Sequence, residues 1–192
     1  MKHRITILLL ALFATTSLVT AQNHDKRIAQ IRQAYADRLE IMNNSPYDVP
    51  CNFINTDLAQ NLPGSGLHER HDKYYFTQEQ YSEDGKMASL LYYVTSKDTY
   101  AMGMHVYNWE FLWDAMEGDP MFALLFRQEG NAKKEYRFYF EKNKVIKVVP
   151  EFKQWPLKDM MSLHPYVIDK PDDVLKLMKQ YQTTFNLMLR DE

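Results

Sequence analysis

The run His68-Glu69-Arg70-His71 is the densest set of chemistry-bearing side chains in the sequence. On a helix, residues i and i+3 share a face, so two imidazoles could hold a zinc ion with Glu69 as a general base. The zinc-protease helix needs a spacing of four, with Glu directly after the first His. Here the spacing is one short, and a third ligand would have to come from His105 or His164. Pro63-Gly64-Ser65-Gly66 before the run and Tyr74-Tyr75-Phe76 after it point to a turn entering a strand. The run is therefore expected to be a polar loop or strand entry, and no metal or other cofactor is assigned. A secreted hydrolase using His68 and His71, metal-dependent or not, is the alternative reading. Gly64-Ser65-Gly66 falls short of the nucleophile-elbow pattern. Asp114, Glu117 and Asp119 do not fit the twelve-residue calcium loop and are read as a hairpin turn. Cys51 has no local partner for nucleophilic chemistry.

A second set is less reactive and more suited to recognition. Glu110, Arg127, Arg137 and Tyr139 fall on alternate positions of adjacent segments, where they can cluster on one face of a sheet. Cross-strand charge pairs of this kind contribute only about 0.2–1 kcal/mol each. Gathered together, they form a polar surface for a protein, peptide or glycan. Trp109 and Trp113 share parity with Phe111 and are assigned to the core before any sugar-stacking role.

The elements that must position these residues follow from periodicity. Ile28, Ile31, Tyr35, Leu39 and Met42 recur at spacings of three and four, which predicts an amphipathic helix from about Asp25 to Asn43. Asn43-Asn44-Ser45-Pro46 ends it. Near the other end, Pro171, Asp172 and Asp173 suit a helix start: proline lacks an N–H that would be orphaned there, and the acids face the positive end of the dipole. Val174, Leu177, Met178, Tyr181, Phe185, Met188 and Leu189 then mark one face.

Between the helices the period is two. Asp84-Gly85, Gly118-Asp119-Pro120 and Gly130-Asn131 separate alternating segments. Five to six strands joined by short turns read as an antiparallel meander, because no helix-length crossover separates them. The fold class is α+β, with an N-terminal and a C-terminal amphipathic helix packed on the sheet. Tyr107, Trp109, Phe111, Trp113, Phe122, Leu124, Phe126, Tyr136, Phe138 and Phe140 are placed on the core face. Asn108, Glu110, Arg127, Glu135, Arg137, Tyr139 and Glu141 are placed on a solvated face. Residues 44–70 and 150–171, rich in Pro and Gly, are read as irregular.

Composition bounds the rest. At 192 residues, one domain is the expectation, and 45% hydrophobic and 14% aromatic residues exclude disorder as the main state. Lys+Arg 23 against Asp+Glu 25 excludes a basic, nucleic-acid-binding balance, and one Cys excludes an internal disulfide framework. Lys2-His3-Arg4, the apolar run Ile5–Phe13 and Val19-Thr20-Ala21 make a three-part secretory signal, expected to be cleaved after Ala21. Residues 1–21 are then a signal peptide and 22–192 a single α+β domain, secreted or periplasmic. The apolar run is too short to span a bilayer, which takes about 20 residues, so no membrane span is expected.

The junction Thr20-Ala21-Gln22, the opening Ile28–Ala36 and the aromatic stretch Glu135–Val148 together resemble small secreted or periplasmic proteins of Bacteroidota. The resemblance implies an exported α+β domain and carries over no catalytic residue. The leading expectation is an exported, non-catalytic binding module. Besides the hydrolase, a third possibility is a protein that acts by associating through an unpaired strand edge.

Overall fold

The computed structural model describes residues 24–42, 52–62, 66–80, 87–100, 103, 105–150, 168 and 170–189. The signal segment, Asn43–Pro46, Cys51, Asp84-Gly85 and most of residues 150–171 lie outside the described residues.

The chain opens with α1, residues 24–42. Seven strands follow: β1 (Asn52–Leu62), β2 (Gly66–Gln80), β3 (Met87–Tyr100), β4 (His105–Trp113), β5 (Pro120–Glu129), β6 (Ala132–Glu141) and β7 (Lys144–Val149). Helix α2 spans Pro171–Met188. The strands form one antiparallel sheet in the order β1-β2-β3-β4-β5-β6-β7, so each pairs with its neighbour in sequence. The α+β class and the meander expected from periodicity are found. The strand count is seven rather than five or six. The additional strand is β1, paired with the early residues of β2, in a stretch that its prolines and glycines had marked as irregular. Those breakers flank the strands: Pro63 to Ser65 separate β1 from β2, and Gly66 has a positive φ of 76°.

Turn chemistry sets the register where the chain reverses. Between β6 and β7, Lys142 and Asn143 both take positive φ (47° and 60°), as a two-residue hairpin turn requires. Between β4 and β5, the Asp114 carboxylate accepts the backbone N–H groups of Met116 and Glu117 at 2.9 and 3.0 Å. The acidic turn is thus held by its own backbone.

Helix α2 begins as its residues dictate. The Asp173 side chain accepts the Lys170 backbone N–H at 3.1 Å, while the Asp173 N–H donates to the Lys170 carbonyl at 3.0 Å. Its apolar stripe, Val174, Leu177, Met178, Tyr181 and Phe185, is buried. These residues cover one sheet face with Tyr74, Phe76, Val94, Trp109, Phe111, Leu125 and Phe138. Helix α1 covers the other face: Ile28 and Ile31 pack on Tyr92, Tyr93, Leu112, Met121, Phe122 and Tyr139.

Burial on both faces corrects the expected partition. Phe122 stands opposite Leu112 and Tyr139, and Leu124 opposite Glu110 and Arg137, so both belong to the α1 face rather than the Trp109 face. Phe126, opposite Asn108 and Glu135, joins them. Ala123 and Leu125 take the positions assigned to these residues. The run Met121-Phe122-Ala123-Leu124-Leu125-Phe126 is apolar at both parities, because each parity faces a helix. Tyr139, expected in solvent, is 1% exposed beneath α1. Among the described residues, no helix is long and apolar enough to cross a membrane.

Candidate functional site

The register brings three of the four expected recognition residues to one face. A row perpendicular to the strands runs Asn55, Lys73, Thr95, Glu110, Leu124, Arg137. The next row on the same face runs Tyr75, Tyr93, Leu112, Phe122, Tyr139. Glu110, Arg137 and Tyr139 therefore share the α1 face. Arg127 does not. It stands opposite Tyr107 on the α2 face and is 3% exposed, because β5 runs at the opposite parity from the one expected.

Two cavities open along this face. One, of about 410 Å³, is lined over β1–β4 by side chains that include Asn55, Asp57, His71, Lys73, Lys97 and Glu110. The other, of about 370 Å³, lies between α1 and strands β5 and β6. Phe122, Leu124 and Tyr139 give it apolar surface, and Arg32, Tyr35, Glu135 and Arg137 give it polar groups. The first row passes from one cavity into the other between Glu110 and Leu124. Adjacent strands are only about 4.8 Å apart, so the two cavities are neighbours on one surface.

A tight hydrogen-bonded group stands at their junction. Tyr35, on α1, donates its hydroxyl to Glu110 Oε2 at 2.5 Å. Tyr93, on β3, donates to the same oxygen. Both hydroxyls have pKa values pushed upward, first by burial and then by the neighbouring Glu110 carboxylate, so both remain donors. Charge-assisted bonds of this type are stronger than neutral ones, and this one ties α1 to the sheet. Farther along, Arg32 Nε donates to Tyr139 Oη at 3.1 Å, and its guanidinium lies 5.5 Å from the Tyr139 ring centre. Arg137 pairs with Glu135 at 2.6 Å, with both side chains close to half exposed. In the first cavity, exposed His71 Nδ1 lies 2.6 Å from Asp57 Oδ1.

The His68–His71 run is split by its strand. Residues three apart on a strand point to opposite faces. His71 faces the first cavity, whereas His68 is 2% exposed on the α2 face, stacked on Tyr100 at 4.2 Å and 3.1 Å from Asp98 Oδ1. The two imidazoles cannot share one ion. Arg70 is on the same side as His68, with Nε 3.0 Å from Asp72 Oδ2.

This second polar group is buried beneath α2. Tyr181 donates its hydroxyl to Ser96 Oγ at 2.8 Å and also lies 3.3 Å from Asp72 Oδ1. Burial raises the pKa of Asp72 above the usual 3.8, and Asp98 adds to the rise, while Ser96, Arg70 and Tyr181 oppose it. Folding thus favours the protonated form. The stability it contributes is complete below about pH 3.8 and is lost as pH rises through the higher folded-state value. In chemical unfolding across pH, the stability of Asp72→Asn relative to the unaltered protein should therefore climb as pH rises from below 3.8. A difference that stays flat, or falls, would show that Asp72 ionises in the fold as readily as in water.

Periodicity could not locate the Tyr35–Glu110–Tyr93 group, because its members lie on three elements. The signal available was Glu110, an acid sharing parity with the apolar Leu112 on β4. The fold and the paired cavities define an α+β domain with two neighbouring cavities of mixed polar and apolar lining on one face of an antiparallel meander. Comparison with protein-family models, curated proteins and solved structures found no match.

Proposed function

We propose that the protein is an exported, non-catalytic binding module whose ligand lies across the α1 face of the sheet, from Asn55 to Arg137. The observation that carries this reading is the pair of neighbouring cavities threaded by one cross-strand row. The two cavities together present amide, hydroxyl, ammonium, carboxylate and guanidinium groups, with apolar surface that includes Phe122 and Leu124. That mixture suits an extended polar ligand, a peptide or a glycan, which needs many directional partners and a few apolar contacts. The placement of the two histidines on opposite faces takes away the pair on which a hydrolase would depend.

The test uses defined peptide and glycan arrays, probed with the protein and with Lys73→Ala/Lys97→Ala/Arg137→Ala. These three side chains line the cavities without joining the Tyr35–Glu110–Tyr93 group. A hydrogen bond to a charged group contributes about 1.5–3 kcal/mol, so each one lost should weaken binding about tenfold or more. Binding that persists undiminished in the folded triple variant would place the site elsewhere, and no binding to either array would remove the reading.

A further inference from the structure

The two edges of the sheet are built differently. Strand β7 has six residues, carries Lys144 and Lys147, and is followed at once by Pro150. A short strand, lysines and a proline are the usual means of keeping a foreign strand from pairing with an edge. Strand β1 has none of them. It runs for eleven residues, Asn52–Leu62, without a Lys, Arg or Pro. Its single ionisable side chain is Asp57, which lies against His71 of β2. Among the described residues, its only neighbour in the sheet is β2. Residues 57–61 are exposed at both parities, so among the described residues nothing covers either face of the sheet along that stretch. Leu58 is 39% exposed and Phe53 is 51% exposed.

The strand also fits itself. Two copies joined edge to edge about a two-fold axis normal to the sheet keep every side chain on its own face. Only registers centred on a residue satisfy that condition. Centring on Asp57 would set two carboxylates opposite each other, which is unfavourable. Centring on Leu58 sets that exposed leucine against its copy. It also places Thr56 opposite Gln60, Asn55 opposite Asn61, and Asp57 opposite Ala59.

We propose that β1 is a dimerisation edge, through which two copies of this chain pair antiparallel over residues 54–62 with Leu58 at the centre. Backbone hydrogen bonds supply most of the association, and the Leu58 contact with its side-chain neighbours sets the register. This does not depend on what the α1 face binds.

Sedimentation velocity over a concentration series tests it. The protein should reach the mass of a dimer. Leu58→Lys sets two ammonium groups together at the axis and should weaken association at least tenfold. Met87→Lys, at an exposed apolar position on β3 away from the edge, should leave the dimer intact. Circular dichroism and melting establish that each variant is folded, and Leu58→Glu, which sets two carboxylates together at the axis while facing Arg70 of its own β2, replaces Leu58→Lys should the latter fail to fold. A monomer at every concentration overturns the proposal. So does a dimer whose strength is the same in a folded edge variant.

Discussion

Phe111→Ala is expected to lower the unfolding free energy by about 3–5 kcal/mol. Phe111 is fully buried at the centre of the α2 face. Its ring centre lies 5.4 Å from that of Trp109, 6.0 Å from Trp113 and 5.0 Å from Tyr181. Truncation removes contacts to two strand neighbours and to α2 at once, and rigid rings on three sides limit collapse into the space. Against a total of about 5–15 kcal/mol for a typical domain, such a loss is a large share. Urea unfolding followed by circular dichroism measures it. A change below about 1 kcal/mol would mean that α2 does not seal this face.

Asp98→Ala should cost a comparable amount for a different reason. Asp98 and His68 are 0% and 2% exposed, 3.1 Å apart, with Arg70 of β2 directly opposite Asp98. Removing one member of a buried, hydrogen-bonded polar pair strands the other, at about 3–5 kcal/mol when the pair is ionised. Asp98→Asn keeps an acceptor for the imidazole and should cost less. Replacing both partners with apolar residues, as in His68→Leu/Asp98→Val, removes the stranded imidazole and should recover part of the loss. A double variant no more stable than Asp98→Ala would show that the cost does not come from an orphaned imidazole.

Local pattern made much of the architecture legible. The stripes of Ile28, Ile31 and Tyr35, and of Val174, Leu177, Tyr181 and Phe185, mark helical faces that do bury. The alternation of Tyr107, Trp109, Phe111 and Trp113 marks the buried side of β4 without ambiguity, because charged or amide residues separate most of them. Strand β1 was hidden because Asn52–Leu62 mixes polar and apolar residues without strict alternation, as an exposed edge allows. Its stability comes from pairing with β2, a contact that a local window cannot see.

The candidate site divides along the same line. Glu110, Arg137 and Tyr139 reach one face, as parity within each strand implied; Arg127 reaches the other. The reason is that β5 is apolar at both parities, so its own residues do not say which set faces Trp109. The turn at Asp114–Asp119 and the irregularity at Leu112/Trp113 decide that, by setting how many residues pass before pairing resumes.

The amino-acid sequence alone determines the two amphipathic helices, the period-two core between them and the antiparallel connection of its strands, because each depends on side chains within a few residues of one another. The tertiary structure decides which face each helix covers, which parity of β5 meets Trp109, the separation of His68 from His71, and the meeting of Tyr35 and Tyr93 on Glu110. Those outcomes depend on strand register and on helix placement across the whole sheet, where one residue of slip moves every side chain to the opposite face.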